Sequence, residues 1–189
     1  MKKALKFTAI LCLGLCAAIT LSFAADPGPG YVDFGKLQSS KEGEFVDVNI
    51  RWPIIAMASK IVETKEPEIG KVLGGLKHIR VNVIGMADDN RDAILKSIGK
   101  LRQSLGGEGW ENIVTVKEQD QDVSVSLKLS GKEAIEGLVV TVVEGNKKAV
   151  LVNIVGDIRP EQIAMLGEKF NIDPLKNMDK VGGSKESKE

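Results

Sequence analysis

The residue types that carry out most enzyme chemistry are scarce in this sequence of 189 residues. His78 is the only histidine, which excludes metal sites and proton relays built from several histidines. The only cysteines, Cys12 and Cys16, lie in an apolar run near the N-terminus. The sequence contains neither the Gly-x-Ser-x-Gly turn of serine hydrolases nor the Gly-Lys-Ser or Gly-Lys-Thr end of a phosphate-binding loop. We therefore predict no catalytic residue, no metal ligand and no cofactor.

The densest acidic cluster, Asp88 to Asp92, resembles the first half of a calcium-binding loop. An EF-hand loop needs glycine where this chain has Ala93 and a bidentate glutamate where it has Gly99, so that motif is excluded. Capping of a helix by Asp88 or Asp89 is favoured, because carboxylates accept the free N–H groups of a first helical turn. A weak surface calcium site is the alternative.

One isolated carboxylate, Asp157, lies at the end of a predicted strand and shortly before Pro160. Catalytic acids often occupy such positions, but turn formation is the commoner role of aspartate there. Asp47 or Glu144 could complete a carboxylate pair for glycoside hydrolysis, although their spacing in the sequence selects neither. A hydrolase with a carboxylate site near Asp157 is the alternative function that the sequence leaves open.

Residues 1–24 have the order of charges and apolar groups that is typical of a secretory signal peptide. Three lysines precede an apolar run, and the small residues Ser22 and Ala24 suit the recognition positions of a signal peptidase. We predict cleavage after Ala24 and a periplasmic or secreted protein. An uncleaved leader, long enough to cross a bilayer, would instead anchor a structural envelope protein; after cleavage no transmembrane segment is predicted.

Charge and length place bounds on the mature chain. The sequence has 26 basic and 26 acidic residues, and 23 and 26 remain once the three leader lysines are removed. Such a balance lacks the basic footprint of a nucleic-acid-binding protein, so no nucleic-acid partner is predicted. We expect one α+β domain over residues 44–175, after an N-terminal tether and docking segment (25–43) and before a disordered tail (176–189).

Periodicity predicts a two-layer α+β sandwich with a mainly antiparallel sheet of about six strands and with helices packed on one face. The predicted strands are 45–51, 78–83, 112–117, 122–130, 138–144 and 149–155. Helices are predicted from Pro53, from Pro67, after Asp89 and from Pro160, the last with Ile163, Leu166 and Phe170 on one side. The apolar run after Trp52 could insert into a membrane surface, but a helix that faces the core is favoured because Lys60 is its only basic residue.

Alternation along these strands divides the predicted sheet into two chemically different faces. One face, here called the valine face, is apolar and is expected to lie under the helices. It comprises Val46, Val48, Ile50, Ile79, Val81, Val83, Val114, Val116, Val123, Val125, Leu127, Leu129, Val150, Val152 and Ile154. The other, here called the polar face, is expected to be open to water. It comprises Asp47, Asn49, Arg51, Arg80, Asn82, Thr115, Lys117, Ser124, Ser126, Lys128, Thr141 and Asn153.

The polar face admits two interpretations beyond solvation. Apolar residues at Ile84, Val139, Val143 and Leu151 would interrupt it, and such a mixed patch suits a protein or glycan partner. It also suits partial cover by the segment 31–34 folding back over the sheet. We predict that Asn49, Arg80, Asn82 and Asn153 form the partner-binding surface.

Four stretches carry a resemblance to a known family: Tyr31 to Gly35, Leu76 to Val81, Gly109 to Val114, and Val152 to Ile158 followed by Pro160-Glu161-Gln162. Together they resemble the family of domain of unknown function 4252, over nearly all of the mature chain. The resemblance implies an exported bacterial protein, in a Gram-negative envelope, and brings no catalytic residues. The leading hypothesis is therefore a non-enzymatic periplasmic binding or interaction module, whose partner is an envelope protein or glycan and whose oligomeric state the sequence leaves open.

Overall fold

The computed structural model of the chain describes residues 28–41, 43–131, 134–159, 161, 162 and 165. The predicted leader (1–24) and tail (176–189) lie outside these residues. Of the predicted C-terminal helix, Pro160, Ile163, Leu166 and Phe170 also lie outside them, whereas Glu161, Gln162 and Met165 are helical.

Six strands and three helices follow one another along the described chain. They are β1 (Phe45–Arg51), α1 (Trp52–Glu63), α2 (Pro67–Gly75), β2 (Leu76–Gly85), α3 (Arg91–Gly107), β3 (Trp110–Lys117), β4 (Gln121–Ser130), β5 (Ala134–Glu144) and β6 (Lys148–Ile158). Both prolines predicted to open the first two helices lie at their first turns, where a missing N–H group costs nothing.

All six strands form one antiparallel sheet in the order β1-β2-β6-β5-β4-β3. The chain builds β1 and β2, crosses through α3 to the far edge, and returns strand by strand until β6 pairs with β2. The predicted fold class, an α+β sandwich on a mainly antiparallel sheet of six strands, is confirmed.

The helices lie on both faces of the sheet, and α3 covers the face that was expected to be open. Its Ile94, Ile98 and Leu105 form one core with apolar residues of the polar face. Those residues are Ile84, Val139, Val143, Ala149 and Leu151. The four apolar residues that seemed to interrupt the polar face are thus the floor on which α3 packs, and the prediction of a water-exposed polar face is wrong.

The valine face carries the two shorter helices. Ile55 of α1 and Leu73 of α2 belong to a second core with Ile50, Ile79 and Ile154, which lie side by side across β1, β2 and β6. Further along the same strands the valines are only half-buried: Val46, Val48, Val81, Val83, Val150 and Val152. The face predicted to be the covered one is therefore the less completely buried of the two.

Candidate functional site

An extended segment, residues 28–40, crosses the polar face and is here called the strap. It contains Val32 and Phe34, each only 7% exposed, and both side chains join the core that α3 forms with the sheet. Of the two interpretations of the mixed patch, partial cover by the segment 31–34 is the one that these contacts show.

Asn153 on β6 fixes the strap to the sheet through both ends of its amide. Its Oδ1 accepts a 3.0 Å hydrogen bond from the backbone N–H of Val32, and its Nδ2 donates to the carbonyls of Gly30 at 3.0 Å and Leu138 at 3.2 Å. The side chain is completely buried. Because an amide offers both donors and an acceptor, it satisfies three buried backbone groups that apolar side chains would leave unpaired.

Close backbone packing explains the glycine at this crossing. A Cβ atom on Gly30 would overlap the backbone of Glu136 and Gly137 on β5. A Cβ on Gly137 would in turn lie 2.5 Å from the Trp110 ring and 2.7 Å from Gly30. The strap therefore rests directly on the backbone of β5, at a distance that only glycine permits.

Arg80 on β2 binds the strap a second time. Its Nη1 donates to Asp33 Oδ1 at 3.0 Å and to the Tyr31 hydroxyl at 3.3 Å, and its guanidinium lies 5.4 Å from the centre of the Phe34 ring. The Arg80 side chain is 15% exposed, whereas that of Asp33 is 70% exposed. The backbone N–H of Gly35 and this guanidinium both lower the pKa of Asp33, so the carboxylate stays charged.

His78, for which the sequence favours a surface position at the edge of a strand, lies instead beneath the strap. It is 4% exposed, stacks on Tyr31 with a centroid distance of 5.2 Å, and places Nε2 2.6 Å from Asn49 Oδ1. Since that oxygen can only accept, Nε2 carries the proton in the neutral ring and Nδ1 has no partner within the described part of the chain. Burial, then the charges of Arg51 and Arg80, lower the His78 pKa below 6.5.

The four residues predicted to bind a partner occupy different environments. Asn153 is buried under the strap, and Asn82 is 3% exposed and donates to Asp47 at 2.9 Å. Arg80 is engaged with the strap, while Asn49 remains exposed at the outer strand. The structure therefore assigns Asn82 and Asn153 an internal structural role, and the part of Asn49 and Arg80 in partner binding stays a prediction.

Two open clefts border the polar face. One, of about 370 Å³, lies between the strap and β1 and is lined in part by Lys36, Asp47, Arg80 and Asn82. The other, of about 930 Å³, lies between the start of α3 and the β3–β4 and β5–β6 turns. Neither includes Asp157, which is exposed on β6, and the hydrolase hypothesis stays a prediction without added support.

The acidic cluster before α3 does not cap the helix as predicted. Asn90 occupies the N-cap position, and its side chain bonds outside the helix, to the Ala87 N–H and to the carbonyls of Gln38 and Gly85. Asn90 thus ties the end of the strap to the end of β2. Across the described residues, no group of three or more acidic, histidine or cysteine side chains could hold a metal ion.

Helix α1 presents an apolar stripe to solvent, whereas the sequence favoured a helix whose apolar residues face the core. The stripe, defined as Ile54, Met57, Ala58 and Ile61, follows the spacing of one helix side, and all four residues are exposed. Ile54, Met57 and Ile61 are 59%, 64% and 68% exposed, while the buried side of α1 holds only Ile55 and Ser59. Periodicity identified the helix correctly, but it cannot tell which of two apolar sides faces the core.

Helices of the described segments are all too short or too polar to cross a membrane. Among known proteins, the family model described as "Domain of unknown function (DUF4252)" matches residues 39–166. No curated protein and no solved structure matches the chain.

Proposed function

Because the chain belongs to the DUF4252 family, whose description assigns no activity, we propose a function from its surfaces: a non-enzymatic interaction module of the cell envelope. We place the binding surface on the apolar stripe of α1. The observation that carries this proposal is the exposure of Ile54, Met57 and Ile61, each more than half exposed on a regular helix.

Exposure of this kind is costly for an isolated domain. Each large aliphatic side chain left in water forgoes about 1.5–3 kcal/mol of burial free energy. Three such residues on one side of a helix form a continuous apolar surface instead of scattered contacts. Trp52, which is 58% exposed, lies at the first turn on another side of the helix. A surface of this form is typical of a helix that packs against another protein.

The chemistry of α1 favours a protein partner over a lipid surface. Helices that lie in a membrane interface carry several lysines or arginines on their polar side. Between Trp52 and Glu63, α1 has Lys60 as its one basic residue. The partner we propose presents an apolar groove or helix side, and it recognises spacing i, i+3, i+4 and i+7 along α1.

The predicted leader supports a location outside the cytoplasm, in the periplasm or secreted, and this location is part of the proposal. A binding role also agrees with the use of the chain's polar residues. His78, Asn82 and Asn153 each have a structural partner within the fold. Asn49 and Arg80 were predicted to bind a partner, and an envelope glycan at the cleft beside Arg80 is one such partner. That binding needs a separate test.

The test is photocrosslinking from position 57 in cells, followed by reconstitution of the crosslinked partner with purified protein. We expect Met57→Glu with Ile61→Glu to weaken that reconstituted binding by at least about tenfold, the effect of removing interface anchors. The matched control is Leu129→Glu, which adds a charge at an apolar residue 45% exposed on β4. Equal affinity of the parent protein and the α1 variant for the crosslinked partner would overturn the proposal.

A further inference from the structure

The outer edge of β1 is unpaired within the described part of the chain. β1 forms one edge of the sheet, and β2 is its only neighbour there. All seven residue pairs between β1 and β2 are in continuous register, without a bulge. The strand contains no proline and no lysine. A long, regular edge of this kind is an open template for pairing with another strand.

The opposite edge of the sheet is protected, which makes the contrast informative. β3 has a register shift between Asn112 and Val114, whereas β1 pairs without one; each of the two strands carries one acidic and one basic residue. A bulge is one of the usual devices that prevent strand addition at an edge. The sheet therefore has one blocked edge and one edge that can accept a strand.

The hydrogen bonds of β1 show which groups are available. The Gly85 N–H donates to the Glu44 carbonyl at 2.7 Å, so Glu44 and every second residue after it turn toward β2. The backbone groups of Phe45, Asp47, Asn49 and Arg51 consequently point outward. Their N–H and C=O groups are the donors and acceptors that one strand contributes to an antiparallel pair.

We propose that a second copy of this chain pairs with β1 in antiparallel orientation, about a two-fold axis that passes midway between the two Val48 residues. In this register all seven residues of β1 find a counterpart. Phe45 lies opposite Arg51 of the second copy, Val46 opposite Ile50, Asp47 opposite Asn49, and Val48 opposite Val48.

The side chains of β1 are complementary in this register. Asp47 can accept a hydrogen bond from the Asn49 amide of the second copy, and Arg51 can lie against the Phe45 ring, which is half exposed in the single chain. No like charges oppose each other. A register centred on Asp47 would instead bring two carboxylates together, and a one-residue slip would set valines against polar residues.

The resulting dimer has one continuous sheet of twelve strands. A two-fold axis perpendicular to the sheet keeps both valine faces on the same side, so Val46, Val48 and Ile50 of the two copies form one apolar row. It also brings Phe45 of each copy to the end of β1 where Trp52 begins α1 in the other. These two exposed aromatic residues are thereby placed at one boundary. The dimer does not depend on the partner proposed for α1.

The experiment uses cysteine crosslinking of the full chain with Cys12 and Cys16 replaced by serine. Val48→Cys is then the only thiol, and the two-fold axis passes midway between its Cα and that of its counterpart, about 4.5 Å away. That separation falls within the range of a disulfide. We expect a disulfide-linked species of twice the chain mass under mild oxidation, and a concentration-dependent dimer of the parent protein in sedimentation velocity.

Two comparisons make the result specific. Val116→Cys, at a half-buried valine on the protected edge β3, should remain uncrosslinked. Val48→Lys places two ammonium groups opposite each other and should give monomers, while Val116→Lys should leave the dimer intact. A parent protein that stays monomeric from micromolar to millimolar concentration would overturn the proposal. Preferential crosslinking of Asn49→Cys, a different register, or open-ended aggregation in place of a dimer would also overturn it.

Discussion

At the scale of single residues, the fold depends on polar side chains that looked like candidates for binding. Asn153 satisfies three backbone groups from the strap and β5, and it does so while fully buried. A buried polar group is costly only when it lacks partners, and Asn153 supplies the partners that its surroundings need. An asparagine on a strand can therefore belong to the core.

We predict that Asn153→Ala destabilises the protein by about 2–5 kcal/mol, because it leaves buried N–H and C=O groups unpaired. Asn153→Asp should be comparably damaging, since a carboxylate repels the carbonyls of Gly30 and Leu138. Chemical denaturation measures both changes. Asn82→Ala is the matched control and should cost about 1 kcal/mol, because it breaks one hydrogen bond to the exposed Asp47. Equal losses for Asn82 and Asn153 would contradict this account of the strap.

His78 gives the stability of the protein a defined pH dependence. Its pKa is lowered in the folded protein, so between that value and 6.5 the unfolded chain binds more protons. Stability is therefore fully present above pH 6.5 and falls as the pH drops through 6.5 toward the folded pKa. We expect His78→Gln, which keeps a donor for Asn49, to reduce the pH dependence of the denaturation midpoint over this interval. A parent protein whose midpoint is constant from pH 7 to pH 5 would show that His78 titrates normally.

At the scale of elements, the strap and α3 together cover the polar face of the sheet and form a hydrophobic core with it. The strap contributes Val32 and Phe34, and α3 contributes one apolar side. Arg102 of α3 adds a polar connection, since it bonds to both oxygens of Asp122 and to Thr141. Helix α1 does the reverse, because it directs more apolar surface to solvent than to the sheet.

We predict that Phe34→Ala releases the strap and costs about 3 kcal/mol, the usual effect of removing a buried aromatic ring. Limited trypsin digestion should then cut after Lys36 much faster, because the exposed lysine is held near the sheet by Phe34 and Asp33. Lys36→Ala, with the ring in place, should have unchanged stability and serves as the control. If Phe34→Ala unfolds the whole domain at the same midpoint as it loses strap protection, the strap is an integral part of the cooperative unit.

At the scale of the whole molecule, sequence patterns predicted the class of fold and the strand order along the chain well. β1 has its predicted bounds, and β2, β3, β4 and β6 needed only adjustment at their ends, because the alternation of apolar and polar residues is a local property of the sequence. β5 was predicted from residue 138 but begins at Ala134, across a register shift at Gly137 where the strap presses on the sheet. Such an irregularity depends on a tertiary contact and leaves no local signal.

The identity of the covered face was the part that the sequence could not supply. Valine and isoleucine dominate one face, and asparagine, serine and threonine dominate the other. Average polarity therefore predicted an open polar face, whereas α3 and the strap pack on it. The decisive residues were Ile84, Val139, Val143 and Leu151, which lie together on neighbouring strands and form an apolar floor within the polar face. Their proximity follows from the order β2-β6-β5, which no local pattern encodes.

The 121 residues that separate Val32 from Asn153 also constrain the order of folding events. Along the chain the strap comes before all six strands, whereas β6, its anchor, follows the other five. Until β6 pairs with β2, the strap has neither of its Asn153 bonds and the floor beneath it lacks Leu151. Closure of such a distant contact pays a large loop entropy, so strap docking belongs to the late, slow phase of folding. A chain in which β6 has not yet paired therefore has an undocked strap and an incomplete sheet, the state in which this protein is most exposed to mispairing.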